Sequence, residues 1–378
     1  MERDQAMKFM HDLLRMMVQK KGSDLFITVG FPPAIKVDGR IQPVSNQALT
    51  QQHTAELTRS MMNDRQAAEF ETHRECNFAI APSGIGRFRA NALVQQGRVG
   101  LICRTINTNI PTLDELELPN TLKDLAMTKR GLIIFVGGTG TGKSTSLAAL
   151  VNHRNENSQG HIITIEDPIE YVHTHKKCII TQREVGVDTE DWEIALKNTL
   201  RQAPDVILMG EIRDRRTMDY AIAFAETGHL CLATLHANSS NQAIDRIINF
   251  FPEERRPQLL MDLSLNLKAM ISQRLIPKKS GKGRMAAIEV MINSPLIADL
   301  IFKGDVHEIK EVMKRSREIG MQTFDQALFD LYEDGAISYE DALRNADSLN
   351  DLRLQIKLHS KENKNKDLVE GLDHLGIV

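Results

Sequence analysis

The sequence predicts an α/β protein in two parts: a small α+β domain at the N-terminus, then a mainly parallel sheet wrapped by helices, with a helical C-terminal part. Three observations carry this. The chain has 378 residues, more than one hydrophobic core usually organises, so about two domains are expected. Up to about residue 107, short alternating segments are separated by turn chemistry. From residue 132 the pattern changes to short, continuous apolar runs alternating with helical stretches, as strands buried on both faces require.

The elements follow in order. Met7, Met10, Leu13, Leu14 and Met17 recur at helical spacing, and Lys20, Lys21 and Gly22 close that helix. Residues 25–29, 34–37 and 40–41 read as short strands, with Asp38-Gly39 supplying a tight turn. A helical stretch spans 53–70, and 77–81, 87–93 and 99–106 alternate like antiparallel strands, which makes 1–107 one domain. Residues 108–119, TNIPTLDELELP, hold two prolines and no periodicity and read as a linker. The second domain, 120–347, has buried strands at 132–136, 162–165, 206–209 and 230–235. After about residue 239 the chain reads as mostly helical, interrupted at 285–292, and 348–378 reads as a polar, flexible tail.

Composition excludes several classes. Hydrophobic residues make up 42% and charged residues 26% of the chain, as in ordinary globular proteins, so disorder throughout is excluded. A formal net charge of -3 leaves no global field to recruit nucleic acid or anionic lipid. The four cysteines lie far apart, which predicts reduced thiols rather than zinc or disulfides. The charged opening has no apolar run of the signal-peptide kind, and no window approaches the ~18 apolar residues of a membrane span. The expectation is a chain that is not exported, with no stable membrane insertion.

The chemistry concentrates after the strand at 132–136. Gly137-Gly138-Thr139-Gly140-Thr141-Gly142-Lys143-Ser144 satisfies G-x-x-x-x-G-K-[ST] and opens the helical run 145–151. Glycines let backbone N–H groups converge on phosphate oxygens, and the helix N-terminus adds its positive end. Lys143 reaches the β- and γ-phosphates, and Ser144 can ligate magnesium. A glycine-rich turn of no function would not need lysine and serine after its last glycine.

Two acidic groups could serve that loop. The strand at 206–209 runs into Gly210-Glu211, where glycine stands in place of the usual aspartate, so Glu211 acts alone or through water. The strand at 162–165 runs into Glu166-Asp167-Pro168-Ile169-Glu170, three carboxylates in five residues; some acids after strands only cap helices, but three beside a phosphate loop favour a catalytic one. His229 and His236 bracket the strand at 230–235, seven residues and roughly 23 Å apart. Ligands bind at the carboxyl ends of parallel strands, which assigns His236 to the site and leaves His229 structural or interfacial. Arg87 and Arg89 share one strand face with Arg104 on the adjacent strand: either a solvated face or the arginines that phosphoryl chemistry usually needs.

Together these segments resemble the secretion-ATPase superfamily of type II secretion and type IV pili. VGGTGTGKSTSLAAL, ITIEDPIEY, DVILMGEIRD and TGHLCLATLH are similar to that family's Walker A, Asp box, Walker B and His box, in family order, and the resemblance covers about residues 5–347. The opening SDLFITVGFPPAIKVDGRI is similar to the twitching-motility retraction branch, the PilT and PilU group. Extension motors generally carry an extra N-terminal region and a paired-cysteine zinc module, neither of which is seen here.

The resemblance implies a homo-hexameric ring of subunits, each a PAS-like N-terminal domain plus a RecA-like ATPase domain. The ring would be cytoplasmic, peripheral at the inner membrane, and would pull on an inner-membrane pilus platform protein. It implies ATP and Mg2+ as cofactors, with nucleotide held by Gly137, Gly138, Thr139, Gly140, Thr141, Gly142, Lys143, Ser144 and Thr145, and metal by Ser144 and Glu211. Glu170 would activate water, Glu211 organise magnesium, His236 sense the γ-phosphate, and Arg87, Arg89 and Arg104 reach the nucleotide. PilT-type chains have a motif close to AIRNLIRE where this sequence has Leu296-Ile297-Ala298-Asp299-Leu300-Ile301-Phe302-Lys303, and they stop before the polar tail. Both departures resemble the accessory members of the branch, which add force beside a PilT-type retraction ATPase. Two alternatives stay open: a mainly structural partner stabilising a PilT-type ring, and a RecA-like nucleic-acid motor. The 5% aromatic content and single Trp192 speak against the latter.

Overall fold

The apolar stripe of the opening helix, α1 (Arg3–Gln19), is buried at Ala6, Met10, Leu13, Leu14 and Met17 in the computed structural model, which describes residues 2–360. The elements of this first part are β1 (Asp24–Ile27), β2 (Ala34–Val37), β3 (Arg40–Pro43), α2 (Gln51–Ser60), α3 (Asp64–His73), β4 (Glu75–Ile80), β5 (Arg87–Gln95) and β6 (Arg98–Ile106). The strands form one sheet in the order β3-β2-β1-β6-β5-β4. Asp38 and Gly39 take φ 48° and 78°, the paired positive values of a hairpin turn that keeps the strand twist. The helical stretch expected over 53–70 is two helices. Asn63 accepts from Gln66 N–H in a capping box and restarts the helix after a break at Met61 and Met62.

Strand β5 alternates: Phe88, Ala90 and Ala92 are buried with the α1 stripe, and Arg87, Arg89 and Asn91 take the other face. One compact unit contains this sheet, up to Asn109, together with Asp167–His173 and Arg183–Ile194.

The second unit comprises Ile110–Glu166, Thr174–Gln182 and the chain from Ala195. Its elements are α4 (Thr121–Ala126), β7 (Gly131–Val136), α5 (Lys143–Asn157), β8 (Gly160–Glu166), β9 (Cys178–Glu184), α6 (Trp192–Thr199), β10 (Val206–Met209), α7 (Arg215–Glu226), β11 (Leu230–Leu235), α8 (Ser240–Asn249), α9 (Arg256–Asn266), β12 (Leu267–Pro277) and β13 (Arg284–Ile292), except that the last two residues of β9 and the first three of α6 fall in the first unit. Five helices follow: α10 (Pro295–Lys303), α11 (Ile309–Lys314), α12 (Phe324–Glu333), α13 (Tyr339–Asn345) and α14 (Leu349–His359). The sheet order is β13-β12-β7-β11-β10-β8-β9, with β12, β7, β11, β10 and β8 mutually parallel and β13 antiparallel to β12. Every residue of β7, β10 and β11 is buried, which accounts for their unbroken apolar sequences.

Within 108–119, expected as a linker, the first unit's opening stretch ends at Asn109, Leu113 and Leu118 are buried in the core of the second unit, and Asp114 meets Lys123 at 2.6 Å. Two expectations are corrected. The tail expected from 348 begins as α14, whose Leu352 and Ile356 are buried beside Phe324 and Leu328. Its two buried residues are spaced four apart, so one narrow stripe reaches the core while Leu349, Leu354 and Leu358 stay exposed. The remainder of that tail, 361–378, lies outside the described residues. Finally, 267–277 is a central strand rather than helix. LKAMISQRLIP continues the apolar run after α9, and periodicity cannot separate a buried strand from a buried helix.

Candidate active site

The chain leaves the end of β7 and passes through Gly137, Gly140 and Gly142, all at positive φ, before α5 starts at Lys143. Two of these glycines are sterically required. A Cβ on Gly137 would lie 2.5 Å from Thr141 Oγ1, and one on Gly142 would lie 2.7 Å from Gln273 Nε2. The loop closes on its own lysine: Lys143 Nζ donates to the carbonyls of Gly137 and Gly138, at 2.7 Å each. Thr141 Oγ1 also donates to Gly138 O, at 2.9 Å. Ser144 is exposed on the first turn of α5, and Thr139 and Gly140 are exposed at the loop tip. The result is an anion cradle, with backbone N–H groups, a helix N-terminus and an ammonium at one end of a parallel sheet.

Neighbouring strands deliver the next groups. Leu235 pairs with Val136 and Gly137 N–H donates to Leu235 O at 3.2 Å, so His236 emerges beside the start of the loop. Strand β10 lies on the other side of β11, with Met209 opposite Ala233, and Ile212 N–H donates to Thr234 O at 2.8 Å. Glu211 therefore meets His236: its Oε1 is 3.3 Å from His236 Nε2, and its Oε2 accepts from Arg213 Nε at 2.7 Å. Burial pulls the Lys143 ammonium below its ordinary pKa, and the charge of Glu211 works against that fall. His229, at the opposite end of β11, is held 3.0 Å from Thr227 Oγ1 and 3.3 Å from Phe224 O.

Glu170 and the three arginines belong to the first unit. Glu170 is exposed on a segment tied to Asn107, whose carbonyl accepts from Val172 N–H at 3.0 Å. Arg89 and Arg104 are direct cross-strand partners, a like-charge pairing that costs stability unless each charge is answered. Each is: Arg104 Nε donates to the buried Asp24 at 2.8 Å, and Arg89 Nε lies 3.8 Å from Glu184. Arg87 Nε is buried without a hydrogen-bond partner. The four strand-end groups of the second unit, Gly137, Lys143, Glu211 and His236, are thus brought together, and Glu170 is grouped with the arginines.

Two supporting residues escaped the sequence reading. Gln273, buried on β12, accepts from Ser146 Oγ of α5 at 2.8 Å, and its backbone carbonyl would lie 2.9 Å from a Cβ on Gly137. It was hidden because its strand was read as helix; recognising LKAMISQRLIP as a buried strand would have exposed the polar Gln273. Glu184 is 1% exposed and accepts from Ile169 N–H at 3.2 Å, beside Glu170, while facing Arg89. Burial raises its carboxyl above the ordinary value because the 3.8 Å ion pair and the one N–H bond do not offset desolvation. No local signal marked it.

A magnesium ion would suit this donor set: hard oxygens from Ser144 and Glu211 at a phosphate cradle. Among the described residues no cluster of three metal-ligating side chains occurs. No helix among the described residues is long and apolar enough to cross a membrane.

The chain matches the family described as type II/IV secretion system protein over residues 7–344. It is 63% identical over 362 residues to the type IV pilus ATPase PilU of Pseudomonas aeruginosa, covering 95% of each chain. To the type IV pilus retraction ATPase PilT of the same organism it is 41% identical, covering 89% of this chain and 97% of the relative. A crystal structure of the pilus retraction motor PilT with bound ADP superposes with a TM-score of 0.85 at 38% identity, over 91% of this chain and 98% of that one.

Proposed function

This chain belongs to the type II/IV secretion system protein family and is a type IV pilus ATPase of the PilU type, related to the PilT retraction motor; from that premise we propose how its residues do the work. ATP hydrolysis at the Gly137–Ser144 loop drives pilus retraction, with this chain as the accessory to a PilT-type ATPase. The ring is a homo-hexamer at the cytoplasmic face of the inner membrane, acting on an inner-membrane platform protein.

The Lys143–Glu211–His236 grouping carries this reading. A mobile ammonium is parked on two loop carbonyls, and a carboxylate and an imidazole face each other at the ends of adjacent parallel strands. Gly137, Gly138, Thr139, Gly140, Thr141, Gly142 and Thr145 wrap the phosphates, and Lys143 leaves its carbonyls for the β- and γ-oxygens. Ser144 and Glu211 would hold Mg2+, which neutralises phosphate charge when bound. His236 reports on the γ-phosphate through Glu211, and Glu170 positions or deprotonates the attacking water. Arg87, Arg89 and Arg104 answer the charge that develops on the transferred phosphoryl group.

Magnesium-dependent ATPase activity, measured with particle mass in the presence and absence of nucleotide, tests the enzyme and the ring. Retraction force in cells lacking this chain but retaining the PilT-type motor tests the accessory role. A purified chain that binds no ATP and hydrolyses none would overturn the reading, and undiminished force would overturn the accessory assignment.

A further inference from the structure

Strand β11 ends at Leu235, and four residues, His236 to Ser239, carry the chain to Ser240, the first residue of α8. The backbone from His236 to Ser240 is held at four points. Two holds come from α8 itself: Arg246 Nη1 donates to His236 O at 2.7 Å, and Asn238 N–H donates to Gln242 Oε1 at 3.3 Å. The other two come from the C-terminal hairpin. Arg274 Nη2 on β12 donates to Asn238 O at 3.1 Å, and Ser240 N–H donates to Glu289 Oε1 on β13 at 2.7 Å.

Those two side chains are the ends of one chain of alternating charge, buried at Glu289 and partly open to solvent at Arg274, Asp347 and Lys310. Arg274 also donates to Asp347 Oδ1 at 2.7 Å and to Asn345 O at 2.5 Å, and its guanidinium carbon lies 3.9 Å from the centroid of the Phe324 ring. Asp347 in turn binds Lys310 Nζ, which faces Glu289 Oε2 at 4.0 Å. Glu289 is fully buried, and its Oε1 gathers Ser240 N–H, Ser240 Oγ and Ser272 Oγ. Its Oε2 has no hydrogen-bond donor.

A partly buried ionic chain of this kind adds little net stability. Desolvating the charges cancels much of their attraction, and well-packed apolar residues would do as well. What apolar residues cannot do is bond the backbone of a polar loop. The same strand segment also supports the phosphate loop, since Gln273 lies between Ser272 and Arg274 and accepts from Ser146. One stretch of three residues thus addresses both the cradle and the loop that bears His236.

We propose that Arg274 and Glu289 are positioning residues for His236, fixing the 236–240 segment from the C-terminal side through the Arg274–Asp347–Lys310–Glu289 chain. This deepens the role given to His236 above and rests on it. A displacement of about 1 Å, even in a group that acts through another as His236 does through Glu211, can cost ~10²-fold in rate, so the hold on the loop matters to turnover.

The test uses the full chain with Arg274→Lys and Glu289→Gln, each alone and combined with His236→Ala. Lysine keeps the charge facing Asp347 but cannot span Asn238 and Asn345 together. Glutamine keeps an acceptor for Ser240 but loses the charge opposite Lys310, and it serves if the lysine variant does not fold. Expected are a ~10–10²-fold fall in kcat with the KM for ATP changed by less than about threefold, and almost no further loss when His236 is already alanine. Amide exchange over 236–242 should quicken while that over 143–157 does not. Losses that multiply in the double variants, or loop exchange equal to wild type, would overturn the proposal. The exchange readout stands without turnover, so a chain that hydrolyses no ATP would count against the proposed function and leave the positioning role judged by exchange.

Discussion

Lys143 is the residue on which the proposed nucleotide chemistry turns. The residue is 7% exposed, and its ammonium is satisfied by two carbonyls of its own loop, which answer the buried charge. Lys143→Ala should abolish hydrolysis and sharply weaken ATP binding while the thermal melt stays cooperative; wild-type turnover in that variant would end the assignment. Glu170 differs, being exposed and far less embedded. Glu170→Gln should leave binding of a fluorescent ATP analogue near normal and slow single-turnover hydrolysis by ~10²–10⁴-fold, as loss of a base or water-orienting group does. Impaired binding with normal turnover per bound nucleotide would make Glu170 structural.

At the scale of elements, two stretches with misleading composition prove to be structural. α14 looks polar, yet Leu352 and Ile356 close a small core with Ile276, Met285, Phe324 and Ile337. Removing residues from 349 onward would open that core, so such a truncation reports on folding before it reports on any partner. Leu352→Ala should destabilise the chain by about 2–5 kcal/mol, the usual cost of a buried leucine, in urea denaturation. A loss below about 0.5 kcal/mol, the range of surface substitutions, would show that the helix adds nothing to the fold. β12 is the other case: read as helix, it is the strand that carries Gln273 to the phosphate loop and Arg274 to the His236 loop.

For the whole molecule, the perturbed carboxylates respond to pH in two opposite ways, and the second unit holds both kinds: burial raises Glu289 and Asp325, as it raises Glu184 in the first unit, while Asp347 is lowered. Glu184 in the first unit has its pKa raised by burial, which Ile169 N–H and Arg89 only partly oppose. Its contribution to stability is full below the ordinary glutamate value of about 4.3 and is lost as pH rises through the raised folded value. Asp347 in the second unit behaves in reverse. Burial alone would raise its carboxyl, but Lys310 and Arg274 outweigh that and hold it low, so its contribution is present above the ordinary aspartate value of about 3.9 and is lost as pH falls through the lowered one. Urea denaturation across pH should therefore show Glu184→Gln without the wild-type decline on the alkaline side of that carboxyl, and Asp347→Asn with a weaker acid-side fall. Identical pH slopes in Glu184→Gln and wild type would refute the buried-charge account of Glu184.

What the sequence determined by itself was whatever lies contiguous along the chain. Gly137 to Ser144 is a phosphate loop because its residues are adjacent, and β7, β10 and β11 announce themselves as unbroken apolar runs because both of their faces are covered. The alternation 87–93 likewise placed Arg87 and Arg89 on one face. Tertiary structure alone decided what depends on residues far apart in sequence. It answered Arg104 with Asp24, set Glu184 between Arg89 and the Glu170 segment, and turned an apolar continuation into β12 by supplying β7 and β13 as neighbours. The physical reason is that local pattern reports only whether a side chain prefers to be buried. Which partner meets it there is settled by how the strands are ordered, and a buried charge shows its purpose only when that partner is known.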